Sequence, residues 1–446
     1  MKAILKWIGI VLLGIIVLPI AVLVLVNLLD EDLDPRAAAY GAPRAASVPE
    51  AENAYYAMLA MNASDGADGI AYARAWLNEV KAAASENRKE KLPESPRAKR
   101  PELCDSRQTA CLALLRDKAD EVSQQLEAYK EDLARYETLL GYKRFEEVLD
   151  FQMRVESSLP SYAGLLNAQR AYLLRIGLDI EAGKLEKAVV ALEREFAFQR
   201  MVLGNSHSLL GKMISVASYW RALQFVNELT EVYADELSPY MQRMSNVLKP
   251  LEPPALSIAN WAEMEFGNLR EASQSYESLE QQYGKVPLGR IGHGLLFKRN
   301  ATLNRGYRFF SGIVPPLNAT ADRIEGELNV YERMWLPTWD YIYNPVGKIM
   351  TNIMPNYYAL RLHDLDALRR LLALRVEMLI AGVGVEQAPG FIANSDARFQ
   401  NPYTRKPMGW DAEKKRMYFD ASGSYVKQFK QGVEGGRVFV VFRAVY

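Results

Sequence analysis

The sequence predicts a mainly α-helical protein. An amino-terminal transmembrane helix leads into a multi-helix exported domain, a hairpin, bundle or solenoid-like array, closed by a small antiparallel β piece at the carboxyl end. Three observations carry this reading. Residues 8–29 form one uncharged apolar run. Apolar residues recur at alternating steps of three and four from Leu112 to Leu140. After Gly384 the helical period gives way to turn residues and short β-prone stretches.

The apolar run includes Ile8, Leu12, Ile16, Val22 and Leu29. As a helix with 1.5 Å rise per residue it is about 33 Å long, enough to cross a ~30 Å hydrocarbon core. Lys2 and Lys6 precede it, and Asp30, Glu31, Asp32 and Asp34 follow it. Basic residues stay on the cytoplasmic side. The expected location is therefore a bacterial inner membrane, single pass, with the amino terminus cytoplasmic and residues 30–446 periplasmic. A cleaved signal peptide would have a shorter apolar region ending at small residues. Here Ala37, Ala38 and Ala39 lie beyond an acidic stretch.

The chain carries 54 basic and 54 acidic residues, and residues 30–446 carry a net charge of −2 because Lys2 and Lys6 lie before them. No excess positive field exists to displace counterions, which argues against nucleic acid as a partner. The only cysteines are Cys104 and Cys111. Seven positions apart on one α-helix they would sit about 10.5 Å apart, too far for a disulfide. A bond in an oxidising compartment requires Cys104 to lie outside the helix carrying Cys111, and Asp105 and Ser106 are suitable capping residues between them. Two buried free thiols are the alternative.

Residues 30–49, with Pro35, Pro43 and Pro49, read as a linker. A helical region follows over 50–249. Ile70, Ala73, Leu77, Val80 and Ala84 form one stripe, and prolines at 93, 96 and 101 mark a connecting loop. Leu112, Leu115, Ala119, Val122, Leu126, Tyr129, Leu133, Tyr136 and Leu140 then give the seam of one long heptad helix over 112–140. It predicts either an antiparallel hairpin with helix 68–91 or a coiled-coil homodimer. Pro250, Pro253 and Pro254 open a second helical region over 250–390, with helices near 255–283, 295–312, 318–336 and 357–380. In the closing segment, 391–446, strands are predicted at 416–419, 425–429 and 437–442.

Two stretches resemble known families. Gly183, Lys184, Leu185, Glu186, Lys187, Ala188 and Leu192 resemble the turn and second helix of a tetratricopeptide repeat, over less than one repeat; this implies a helix–turn–helix there. The order of a long helix, then Asn401 to Trp410, then short strands resembles the end of pseudopilins over about forty residues. The amino-terminal pilin signature is absent, so no function follows from it.

No motif specifies a chemistry. His363 and Asp366 share a helix face but lack the second histidine of a metalloprotease pair. His293 lies in a glycine-rich loop without a dinucleotide-binding spacing. Asn344 to Lys348 lacks the glycine and hydroxyl residue of a phosphate loop and reads as a turn leading into a helix. No catalytic, metal or cofactor residue is assigned, and no cofactor is expected. Trp335, Trp339, Tyr341, Tyr343 and Tyr357 crowd among turn residues and form a candidate groove for peptide or glycan. The leading expectation is a non-enzymatic scaffold, chaperone-like or protein-interaction module at the membrane, partnered by another envelope protein or by itself. The alternatives are an envelope hydrolase with a site assembled from distant helices, and a helix-mediated homodimer.

Overall fold

The computed structural model describes residues 7, 15, 17–41, 46–86, 88–96, 98–148, 157–283, 296–335, 342–351, 356–422 and 432–441. Within them the chain is mainly helical and ends in a four-stranded antiparallel sheet.

The amino-terminal reading is corrected. Among the described residues no helix is long and apolar enough to cross a membrane, which overturns the single-pass inner-membrane location with a cytoplasmic amino terminus and periplasmic 30–446. Ile8, Leu12 and Ile16 lie outside the described residues; Val22 lies in helix 17–26, and Leu29 lies beyond its end. The helix stops because Asn27 turns inward. Its side chain is fully buried and donates to the Leu23 carbonyl at 2.8 Å and the Ile342 carbonyl at 2.7 Å, and it accepts from the Asn344 amide at 2.7 Å. This amide, bonded to Leu23 one turn back and to the distant backbone of Ile342 and Asn344, ends helix 17–26 on the domain surface.

Residues 30–41 pack on the domain. Helix α1 (Pro35–Ala39) starts at Asp34, whose carboxylate accepts from the Arg36 amide, with proline at the first helical position. Tyr40 stands edge-on to Phe266 and Tyr307, and Arg270 donates to the Ala37, Ala38 and Tyr40 carbonyls. Helices α2 (Ala54–Ala60) and α3 (Gly69–Ser85) are capped by Asn53 and Asp68. They pack closely where Gly69 meets Ala60.

The heptad seam is real, but the single helix is not. Residues 111–139 form α4 (Cys111–Asp117), α5 (Ala119–Glu127) and α6 (Lys130–Leu139), broken at Lys118 (φ −138°) and Tyr129 (φ −106°). Leu112, Leu115, Val122, Leu126, Leu133 and Tyr136 are all buried inside the chain. All three helices lie against α7 (Ala163–Glu181) rather than forming a hairpin with α3. The seam is therefore consumed within the molecule, and coiled-coil pairing through it is not supported. A short-helix path can follow a curved surface that one straight helix could not.

Gly183 (φ +73°) ends α7, as the repeat-like stretch implied, and α8 (Leu185–Asn205) returns antiparallel. Ser208 caps α9 (Leu209–Val232), which is buried along most of its length between α8, α4 and the later helix Asn356–Ile380. Helix α10 (Met241–Val247) closes this half. The proline cluster then leads to α11 (Ala259–Tyr283), which packs extensively on α12 (Arg299–Leu317). Gly306 permits that approach, because a Cβ there would overlap Leu269 and crowd Phe266. Pro315 and Pro316 fall within the last turn of α12. Helices α13 (Ala321–Met334), α14 (Pro345–Met350), α15 (Asn356–Ile380) and α16 (Ala388–Ala393) follow. Asn344 in the left-handed region (φ +50°) caps α14, so residues 344–348 are a turn into a helix, as read.

The sheet has the order β1–β2–β4–β3, with β1 (Gly409–Asp411), β2 (Arg416–Asp420), β3 (Val433–Glu434) and β4 (Arg437–Val441). Tyr418 pairs with Phe439, so alternate residues Met417, Phe419, Val438 and Val440 point inward and are buried, on the side where β2 and β4 contact α15. Gly435 and Gly436, both at positive φ, make the tight β3–β4 turn. The strand expected at 425–429 lies outside the described residues.

Candidate functional site

The strongest candidate is a cleft of about 320 Å³ where α15 meets the start of α13 and the turn 397–405. Helix α15 runs through the middle of the protein with an unusual load of buried charge: Asp364, Asp366, Arg369 and Arg375 are all nearly inaccessible. Each is satisfied. Arg369 donates to Asp366 at 2.8 Å and to the Leu248 carbonyl at 2.7 Å, and Arg375 donates to the Thr230 carbonyl at 2.7 Å. Asp364 accepts from the Tyr403 hydroxyl at 2.7 Å and the Ser422 amide at 3.1 Å, tying the carboxyl-terminal segment to the helix. Asp366 also accepts from Arg370 at 2.7 Å. Burial pushes the Asp366 carboxyl up, but the Arg369 and Arg370 guanidinium groups outweigh it, and it stays below the usual carboxylate range.

His363 faces this cleft and is only 6 % exposed. Burial pulls its pKa down to about 4, against the opposing charge of Asp366, so the ring is neutral at pH 7. Its Nε2 has no hydrogen-bond partner among the described residues. That is costly for a buried polar atom unless something supplies the missing bond. Two guanidinium groups line the same cleft. Arg370 is held by Asp366. Arg405, at φ +53° in a turn organised by Asn401, pairs with Asp322 at 2.9 Å. Leu256, Ala397 and Pro402 add apolar surface. The cleft thus offers two guanidinium groups, each paired with a lining carboxylate (Asp366 or Asp322), and a neutral imidazole above an apolar wall. Among the described residues His363 Nε2 has no hydroxyl or thiol within hydrogen-bond reach.

Of the acidic neighbours of His363, Asp366 neutralises Arg369 and Arg370, while Asp364 holds Tyr403 and Ser422. Among the described residues no group of three or more His, Cys, Asp or Glu side chains is placed to hold a metal ion. His293, Trp339 and Tyr341 lie outside the described residues, as does the side chain of Tyr357. Trp335 packs against Phe309 and Tyr331 with Arg305 over its ring, and Tyr343 lines a different cleft near Val22 and Val26.

The cysteine pair forms the expected disulfide, with Cα atoms 5.7 Å apart and Cys104 outside the helix. Its cap differs from the expected one. Ala110 precedes α4, and Glu228 from α9 accepts from the Leu112 amide at 2.8 Å. Asp105 is instead the centre of a buried ionic cluster, bonded to Arg107 at 2.7 Å, Arg170 at 2.9 Å and Arg221 at 3.2 Å. Burial raises its pKa, but Arg107 and Arg221 overcome that and hold it well below the usual carboxylate range. The cluster continues through Gln169 to Glu195 and Tyr136. Sequence reasoning missed it because no local spacing relates residues that far apart. Comparison with protein-family models, curated protein sequences and solved structures gives no match.

Proposed function

We propose that the chain is a non-catalytic helical scaffold that binds another protein, and that the His363 cleft receives a carboxylate-bearing segment of that partner, a chain terminus or an acidic side chain. One observation carries this reading: a buried neutral imidazole nitrogen without a partner, beside the N–H groups of Arg370 and Arg405. A carboxylate accepts from guanidinium and imidazole N–H groups alike, and charge-assisted bonds of this kind are the stronger ones. The apolar wall of Leu256, Ala397 and Pro402 suits the adjoining part of a peptide.

The test is a photoreactive amino acid placed at exposed Ala397 in the full chain, in cells that make the protein. The expected result is one stoichiometric protein cross-link that Arg405→Glu abolishes while the fold persists by circular dichroism. Cross-links only between copies of the chain, or a cross-link indifferent to Arg405→Glu, overturn the proposal. Hydrolysis of a polymer by the purified chain would favour an enzyme instead.

A further inference from the structure

We infer a second, separate binding site: a pocket for a neutral saccharide, such as a terminal hexose, walled by the loop that carries Ser95 and Arg100, the turns after α2 and α5, and the first turns of α3 and α7. The pocket is about 430 Å³, within the range of roughly 300–1,000 Å³ usual for small-molecule sites, and it shares no lining residue with the His363 cleft. Among the described residues the only charged ones lining it are Arg100 and Asp132, and these are paired with each other. Arg100 also binds Asp65 at 2.5 Å, and its guanidinium lies 5.3 Å over the Tyr129 ring. The charges are thus matched before any ligand arrives.

The other polar groups are uncharged, and part of them is held in place. The Asn62 amide donates to the Ser161 carbonyl at 2.6 Å, and the Ser95 hydroxyl donates to the Asn62 carbonyl. Two groups stay open to a ligand. The Asn167 amide, one turn into α7, makes no side-chain hydrogen bond with a described residue. The Ser161 hydroxyl accepts from the Ala163 amide at 3.4 Å and donates to no described residue. Together they offer both donors and an acceptor. The half-buried Tyr72 ring and the exposed Ala98 and Ala163 add apolar surface. Charge and hydrogen bonding then select the ligand. A carboxylate has no proton to donate and would meet Asp132. An ammonium group has no acceptor and would meet Arg100. A hydrocarbon would strip water from the Asn167 amide and the Ser161 hydroxyl without replacing its bonds. Sugar hydroxyls donate and accept alike, and the C–H faces of a pyranose ring match the apolar surface at Tyr72.

The probes are glucose, galactose, N-acetylglucosamine and maltose at millimolar concentration, read on the full chain by saturation-transfer NMR and then by calorimetry. Glucuronate and glucosamine are the charged counterparts, and adenosine is the neutral flat-ring control. The expected result is that at least one of the four sugars saturates one site per chain, at least tenfold tighter than either charged counterpart or adenosine. Asn167→Ala, at a half-buried position, should weaken that sugar at least tenfold in a protein of unchanged circular dichroism. Ser161→Ala, at an exposed position, is the second variant and should weaken it in the same direction. Binding by none of the four sugars, equal binding of a charged counterpart, preference for adenosine, or indifference to both substitutions in folded protein overturns the inference. Neither substitution touches the His363 cleft, so loss of this site and loss of the partner cross-link are separable.

Discussion

Glu228 gives the sharpest test of how the core is built. Its carboxyl group is 2 % exposed and caps α4 beside the disulfide. Burial pushes its pKa up to about 8 from 4.5, even though the Leu112 and Cys111 amides favour the charged form. A carboxyl group with a raised folded-state pKa binds its proton more tightly in the folded chain. Its contribution is fully present below the unfolded value, declines as pH rises from 4.5 to 8, and is flat above that. Glu228→Gln removes the titration while keeping an acceptor for Leu112. Between pH 5 and pH 8.5 the variant should gain about 4 kcal/mol relative to the parent if the whole shift is realised, at 1.36 kcal/mol per pKa unit. Taking the difference between the two proteins cancels other groups. Burial lowers the Lys212 pKa to about 7 and the His363 pKa to about 4, and both add stability as pH rises, opposite in sign to Glu228. The assay is urea unfolding at both pH values. A parent–variant difference that is constant, or that moves the other way, refutes a protonated buried cap.

Three further predictions follow from packing. Replacing both cysteines by serine opens the eight-residue loop closed by Cys104 and Cys111 and should cost about 2.5 kcal/mol in the chain-entropy model, read by urea unfolding with and without reductant; equal stability would refute the staple. Leu126→Asp and Leu133→Asp place charges in the interior, so each should lower the unfolding midpoint without changing the mass measured by light scattering, whereas a folded chain of altered mass would restore an intermolecular seam. Gly306→Ala should destabilise the α11–α12 pair by about 1–3 kcal/mol, because its methyl group overlaps Leu269, and an unchanged midpoint would contradict that packing.

Local signals were legible and long-range ones were not. The period of three and four from Leu112 to Leu140 correctly marked a buried face, yet periodicity cannot register the breaks at Lys118 and Tyr129, which depend on fitting α7. The distance argument placed Cys104 outside the Cys111 helix, because it used only helix geometry. It could not foresee that Asp105 would be drawn from capping into a cluster with Arg170 and Arg221, which lie 65 and 116 positions away. The apolar run 8–29 met every compositional criterion for a span, but the helix ends at the buried Asn27, whose partners are Ile342 and Asn344. At the candidate site, His363 and Asp366 were visible as helix neighbours. Arg405, Asp322 and Pro402 were not, since their approach to His363 follows from the packing of α13 and the carboxyl-terminal segment on α15.

The central claim is that the His363 cleft binds a carboxylate. It is tested most directly by calorimetry of the full chain with the partner peptide identified from the Ala397 cross-link, in its free-acid form and with each carboxylate converted in turn to an amide. The account predicts that one such conversion weakens binding at least tenfold, about 1.4 kcal/mol, and that Arg405→Glu removes the difference between the two forms. Equal affinity of the acid and every amide would contradict it.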